Sequence, residues 1–342
     1  MKTMYAILSD IHGNFPALEA VVADAKQNAK DKGAVLKFVC LGDIVDYGPQ
    51  PNECVEWMRN EKHLVVLMGN HDEDVLDDID AFFAIDNPDS WPPVVTVWTN
   101  CTLKNDNKEW LRKQKDDAYG LMHKVGVNGL ANFTIFHSSL SKDQHQVYIR
   151  TPGEYDRERE ICSTKYALFG HTHNQMYFVP GRESENSIMF FAVTPDQQDQ
   201  LLARSWNGVH GLTLIDEWLP LNDAMSGAFI NPGSVGQPRK HGGILKATFT
   251  AHGAYLLILH QLNGPSRFMF RQVHYTVDDT IELIKEKMVW STAKTRKSPG
   301  NPILPEGSSG KKWYTVSKRM AHYMKEQLPR EHTRLINTLL YG

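Results

Sequence analysis

The chain has 342 residues, 41% of them apolar, with a formal net charge of −3. That composition supports a real core in one large domain or two, and the charge offers no basic excess for non-specific nucleic-acid binding. No apolar run reaches the roughly 18 residues that a spanning helix needs, so no membrane segment is expected.

Tyr5 to Leu8 is a short apolar run before a polar turn, the pattern of a buried strand. Phe15 to Lys32 reads as a helix, with Pro16 in its first turn and Leu18, Val21, Val22 and Ala25 at helical spacing. Val35 to Leu41 is the next strand, Pro51 to Asn60 a short helix, and Leu64 to Met68 a third strand. This is α/β grammar, which puts functional groups at the C-terminal ends of strands. The rhythm breaks over 74–130, where an acidic run, Glu73 to Asp80, precedes a Pro-rich stretch. An apparent helix with Trp98, Leu103, Trp110 and Leu111 follows, and the segment reads as a largely helical cap. Strands resume at Asn132 to Phe136 and Tyr166 to Phe169. A second excursion covers 181–226, with apolar stretches at Ser187 to Val193 and Gly211 to Ile215. Ala247 to Thr250 and Tyr255 to Leu259 read as a hairpin turning at His252-Gly253. Phe268 to Val273 reads as a strand and Val277 to Met288 as an amphipathic helix. The expected organisation is one domain over 1–291, a Pro/Gly/Ser/Lys-rich linker over 292–312 and a C-terminal helix over 313–342.

Four cysteines (Cys40, Cys54, Cys101, Cys162) show no paired spacing, which fits a reduced compartment. Met1 to Ser9 runs directly into the first polar motif with no room for a signal-peptide apolar region. The cytoplasm is the expected location.

Five motifs follow apolar runs: Asp10-Ile11-His12-Gly13-Asn14, Gly42-Asp43, Gly69-Asn70-His71-Asp72, His137 and Gly170-His171-Thr172-His173. They offer carboxylate, imidazole and amide-oxygen ligands. Asp10 and His12 are alternate residues, which share one face of a pure strand. A carboxylate has about four lone-pair sites, so Asp43 can bridge two cations. Mixed nitrogen and oxygen ligation suits manganese, iron, zinc, cobalt or nickel, and the histidines argue against a dedicated magnesium or calcium cage. Two cations about 3.5–4 Å apart clamp a phosphoryl group and acidify a bound water for in-line attack. His71, directly after Asn70, is the candidate general acid. Asp46 and Asp72 are the two candidates to orient it.

The set resembles the calcineurin-like metallophosphoesterase superfamily, whose pattern is D-x-H, G-D, G-N-H-[DE], H, G-H-x-H. All five blocks stand here in that order, over roughly residues 4 to 275. The resemblance implies two mixed β-sheets packed face to face between helices, an α/β sandwich, with helical insertions. It implies two divalent metals, one on Asp10, His12, Asp43 and His173, the other on Asp43, Asn70, His137 and His171, with His71 catalytic. Tyr47 stands where the family's Ser/Thr protein phosphatases carry a phosphate-binding Arg, which disfavours that activity. Tyr47-Gly48-Pro49 and the block Asn231 to Gly236 are instead similar to small prokaryotic phosphoesterases, related to phosphodiesterases and diadenosine tetraphosphatase-annotated proteins.

The expected activity is therefore hydrolysis of a small phosphate mono- or diester, a nucleotide included. A non-enzymatic scaffold of the same fold is the alternative, disfavoured because no ligand or acid is missing. A nuclease is the third reading, and it lacks a basic surface. Asn14 either supports the first loop or contacts substrate, and Arg239 either approaches a phosphate or lies in a surface loop. Gly233 and Gly236 read as backbone-geometry residues, Glu73 to Asp80 as a solvated face, and Trp91, Trp98 and Trp110 as cap packing rather than base stacking.

Overall fold

The computed structural model describes residues 2–77, 94–117, 124–127, 130–141, 147–181, 187–196, 211–237, 252–261 and 264–278, with single positions 198, 280 and 283. The first sheet uses β1 (Lys2–Leu8), β2 (Val35–Cys40), β3 (Leu64–Val66), β10 (Leu219–Leu221), β12 (His252–Gln261) and β13 (Ser266–His274). Its order is β10-β13-β12-β1-β2-β3. The second sheet uses β4 (Lys124–Val127), β5 (Leu130–Phe136), β6 (Tyr166–Phe169), β7 (Gln175–Val179), β8 (Ile188–Val193), β9 (Gly211–Leu214) and β11 (Ala228–Pro232). Its order is β4-β5-β6-β11-β7-β8-β9. Both are mixed: β1 runs parallel to β2 and antiparallel to β12, and β11 parallel to β6 and antiparallel to β7.

Strand alternation assigns the layers. Tyr5, Ile7, Val39 and Leu41 point from the first sheet onto Phe133, Ile135, Leu168 and Ile230 of the second, forming the inner core. Met4, Ala6, Leu8 and Phe38 point outward, under α1 (Phe15–Lys32) and α2 (Pro51–Asn60). Phe136, Phe169, Phe178 and Phe229 point from the other side of the second sheet onto Tyr155 of α6 (Pro152–Ile161). Each fully buried Leu, Ile or Phe contributes roughly 1.5–3 kcal/mol, so the layering is set by hydrophobic burial. This is the two-sheet sandwich that the resemblance implies.

The α1 and α2 bounds match the sequence reading. Asn14 caps α1 by accepting from the Ala17 N–H, and Gly33 closes the helix in the left-handed region at φ 59°. The cap is two helices rather than one, α4 (Val94–Thr102) and α5 (Asn105–Asp117). Trp98 is buried and Trp110 packs against the core. The acidic run Glu73 to Asp80 opens in α3 (Asn70–Leu76): Glu73 is half-buried, Asp74 and Asp77 are exposed, and residues 78–80 lie outside the described residues.

The expected turn at His252-Gly253 is corrected. Both residues belong to β12, which pairs with β13 from His252↔His274 to Leu259↔Arg267, so neither is a turn residue. The apolar run Tyr255 to Leu259 was legible as a strand, but Gly253 is a strand residue lying against Val21 of α1 rather than a turn. Trp91, Arg239, Ala247 to Thr250 and the segments 292–312 and 313–342 lie outside the described residues.

Candidate metal centre

The five motifs meet at one end of the two sheets. Ligand atoms of Asp10, His12, Asp43 and His173 all lie within 4.8 Å of one another, and those of Asp43, His137 and His171 do the same. Asp43 belongs to both groups. Asn70 Oδ1 lies 3.2 Å from His137 Nε2, beside the second group.

Local backbone, not strand alternation, aims these groups. β1 ends at Leu8, and Asp10 and His12 are left-handed at φ 53° and 49°. Asp43, Asp46, Tyr47, His171 and His173 are also left-handed, at φ 55° to 73°. The expected shared strand face of Asp10 and His12 is thus replaced by a tight turn with the same result. Left-handed non-glycine residues are uncommon and cost of order 1–3 kcal/mol each when strained. Asp216 is the one such described residue away from the site. Inter-loop bonds hold the conformation: Ile11 and His12 N–H donate to Asp43 O, Asp10 N–H to Gly42 O, and Gly236 N–H to Asp10 O.

Three imidazoles are locked by their far nitrogens. His12 Nδ1–H donates to Val45 O (3.3 Å), His137 Nδ1–H to Leu41 O (2.9 Å) and His173 Nδ1–H to Gln237 O (2.6 Å). A carbonyl only accepts, so each Nδ1 carries a proton and each Nε2 is the nitrogen turned to the ligand clusters. The Nε2 atoms of His12 and His173 face each other at 3.2 Å. His171 is held by Tyr148, whose ring stacks at 4.1 Å.

The electrostatics of the pocket are those of a cation site. Burial opposes charge on Asp10 and Asp43, but His173 beside Asp10 and His137 beside Asp43 hold both carboxyls well below the usual range. Burial drives His12 well down, and burial with His137 drives His171 down to about 3, so both stay neutral. Burial also works against a charged His137, yet Asp43 at 3.2 Å raises it to about 9. Asp10 Oδ1, Asp43 Oδ2 and His171 Nε2 are fully buried with no hydrogen bond of acceptable geometry. Orphaned buried acceptors are costly, and these three belong to the two ligand clusters, with neutral His12 and His171 among them. A divalent cation fits that donor set.

Beside the clusters, His71 Nδ1–H donates to Asp46 Oδ2 at 2.8 Å. Burial disfavours charge on His71, but Asp43 and the hydrogen-bonded Asp46 outweigh it and raise the ring to about 9. Asp72 takes no part in that pair. Its carboxylate accepts from the Ile44, Val45 and Gly69 N–H groups, tying the second and third motifs together. Asn14 is also committed to the scaffold: it donates to Gly236 O and Tyr275 Oη and accepts from Ala17 N–H and Thr280 Oγ1. Of its two readings, loop support is the one its contacts fit. Gly236 is tight as expected, since a Cβ there would lie 1.8 Å from Ile11 O.

The calcineurin-like phosphoesterase family model matches residues 4–175. A curated relative, an uncharacterized protein of Methanocaldococcus jannaschii, is 31% identical over 252 residues, 73% of this chain and 82% of its own. The chain belongs to the calcineurin-like phosphoesterase family. A metallophosphoesterase from Sphaerobacter thermophilus has a similar crystal structure, 25% identical, with TM-score 0.57 over 94% of this chain and 99% of that one. A hypothetical protein from Pyrococcus horikoshii shares the fold at 18% identity, with TM-score 0.54 over 83% of this chain and 92% of that one. As a calcineurin-like phosphoesterase, the chain is a metal-dependent phosphoric ester hydrolase.

Several residues of this phosphoesterase make site contacts that the motifs do not assign. Tyr47 packs its ring 4.7 Å from His71 and 4.8 Å from His12, with Oη 3.3 Å from His71 Nε2. Buried Glu158 of α6 accepts from Ser139 Oγ–H and the Leu140 N–H, holding the loop after His137. Asn231 donates to Gly170 O and Thr172 Oγ1, and Ser234 Oγ–H to Asp10 O, so the Asn231-to-Gly236 block braces two motifs at once. Thr96 and Thr99 of α4 donate to Asp46. Thr96 and Thr99, one helical turn apart among Val95, Val97 and Trp98, were the available signal. No helix among the described residues is long and apolar enough to cross a membrane.

Proposed function

We propose that the chain hydrolyses a small phosphate mono- or diester at a dinuclear metal site, with His71 as general acid. One observation carries the reading: two ligand clusters share Asp43, and a His71–Asp46 pair stands beside them. Asp10, His12, Asp43 and His173 would hold one cation, and Asp43, Asn70, His137 and His171 the other. Manganese, iron, zinc, cobalt and nickel all suit the set. When bound, the two cations supply the positive charge that clamps a phosphoryl group and acidifies water for in-line displacement.

The chain's own part is orientation and one proton. Asp46 accepts the Nδ1–H of His71, which leaves Nε2, 3.3 Å from Tyr47 Oη, as the ring nitrogen that would give up a proton. As the bond from phosphorus to the leaving oxygen breaks, that oxygen keeps the electron pair, and His71 Nε2–H supplies its proton. The imidazole is left neutral, still bonded to Asp46 through Nδ1. Asn14, bound to the loop scaffold, is given no substrate contact.

The test is hydrolysis of p-nitrophenyl phosphate and bis-p-nitrophenyl phosphate by metal-stripped protein supplied with Mn(II), beside His71→Ala. Metal-dependent turnover reduced in the variant supports the reading, and the preferred ester names the class. Full activity of Asp43→Asn would sink the site assignment.

A further inference from the structure

We propose that α4, a helix of the inserted cap, is a working part of the acid, with Thr96 and Thr99 as positioning residues for Asp46 and thereby for His71. The proposal rests on His71 being the acid.

Asp46 is fully buried and left-handed at φ 73°. A carboxylate in that setting needs donors on both oxygens. His71 Nδ1–H takes Oδ2 at 2.8 Å. Thr96 Oγ1–H reaches the same oxygen at 3.1 Å, and Thr99 Oγ1–H reaches Oδ1 at 3.4 Å. Both threonines are buried, at 1% and 0% exposure, so water does not compete for their hydroxyls.

The terminal torsion of an aspartate is broad and roughly two-fold. A carboxylate held only by His71 would rock about that bond and carry the imidazole with it. Donors on both oxygens stop the rocking and fix the plane into which the imidazole bonds. Thr96 and Thr99 are one helical turn apart and so share a face of α4, while Val95, Val97 and Trp98 bury the helix around them. A second tie fixes the imidazole's own helix: Asn100 Nδ2–H donates to Val75 O of α3, whose first turn carries Asn70 and His71. One inserted helix thus grips both members of the pair.

The experiment uses Thr96→Val, Thr99→Val, the double variant, and Thr→Ser at each position. Substrates are aryl phosphates graded from 2,4-dinitrophenol to phenol, of whichever ester order the enzyme accepts. A general acid matters most when the leaving group is poor. Each valine should lower kcat roughly 3- to 10-fold on the phenyl ester, the scale of one lost hydrogen bond. The loss should shrink as the leaving group becomes more acidic, KM should hold, and serine should restore the rate. A loss equal across the series, or no loss in folded protein with wild-type metal content, would overturn the proposal.

A second readout needs no turnover: the low-field Nδ1–H proton resonance of His71, assigned by its absence in His71→Gln. Its exchange with water should speed at least tenfold in the valine variants, and an unchanged signal would overturn the clamp. Wild-type protein inactive on every ester, with the resonance still responding, would instead sink the role of His71 as acid. Should the double variant not fold, Thr99→Val, which removes the longer bond, gives the answer alone.

Discussion

His71 Nδ1 lies 2.8 Å from Asp46 Oδ2, while Asp72, one residue along the chain from His71, turns its carboxylate to three backbone amides instead. Asp46→Asn should therefore lower kcat about 100-fold, within the range general acids supply, with metal content unchanged. Asp46→Asn combined with His71→Gln should cost no more than the worse single change, because the two act as a unit. Steady-state kinetics on bis-p-nitrophenyl phosphate reads the cycle. Additive losses would separate the pair.

Metal should stabilise the fold. Asp10 Oδ1, Asp43 Oδ2 and His171 Nε2 make no hydrogen bond of acceptable geometry within the protein, and a bound cation would give them a partner. At a metal concentration 100 times Kd, the stabilisation is about 2.7 kcal/mol. Stripped protein should melt several degrees lower than protein with Mn(II) or Zn(II) in scanning calorimetry, and Asp43→Asn should abolish the difference. An unchanged Tm in the wild type would argue against binding at this centre.

Gly69→Ala tests how tightly the second and third motifs interlock. A Cβ at Gly69 would sit 2.0 Å from Asp43 Oδ1 and 2.5 Å from the Asp43 backbone nitrogen. The backbone atom has nowhere to go, so the cost should reach the 1–3 kcal/mol of an overpacked site. Urea unfolding should show a lower midpoint, and metal affinity measured by calorimetric titration should fall with it. Retention of both would mean that the loop moves freely.

Alkaline pH should destabilise the protein through its buried tyrosines. Burial pushes Tyr177 up to about 12, and burial also pushes up Tyr155 and Tyr255, the last with help from Asp24. Unfolded tyrosine loses its proton near pH 10. Between pH 10 and 12 the native state therefore holds more protons than the unfolded state, so stability is intact below pH 10 and falls above it. The slope is about 1.4 kcal/mol per pH unit for each such tyrosine. Urea midpoints across pH 8 to 11 read it, with phenolate absorbance as the direct probe. A flat profile would contradict the burial.

Some of this was legible because its causes are local. Helix α1 carries its cap, its proline and its apolar stripe within one segment, and its bounds match the reading. The ligand set was legible because spacing and residue type suffice to propose it. How Asp10 and His12 reach one cavity was not. The sequence suggests strand alternation, whereas the fold uses left-handed turns held by bonds to Asp43 O and Gly42 O. The choice between Asp46 and Asp72 was equally hidden, since it depends on which carboxylate meets the amides of a loop 25 or more residues away. The turn assigned to His252-Gly253 failed because a glycine seated against α1 looks, in sequence, like a glycine that bends the chain.

The position of β1 has a consequence for synthesis. It lies between β2 and β12, so one edge pairs with Val35 to Cys40 and the other with residues beyond 250. At about 5–20 residues per second, roughly 11–44 s pass between the emergence of the two partners. Throughout that interval β1 presents an unpaired apolar edge, the kind that seeks another chain. Ribosome-bound intermediates are thus the most aggregation-exposed form of the protein, and a chain stalled before β12 would carry the first motif without the strand that seats it.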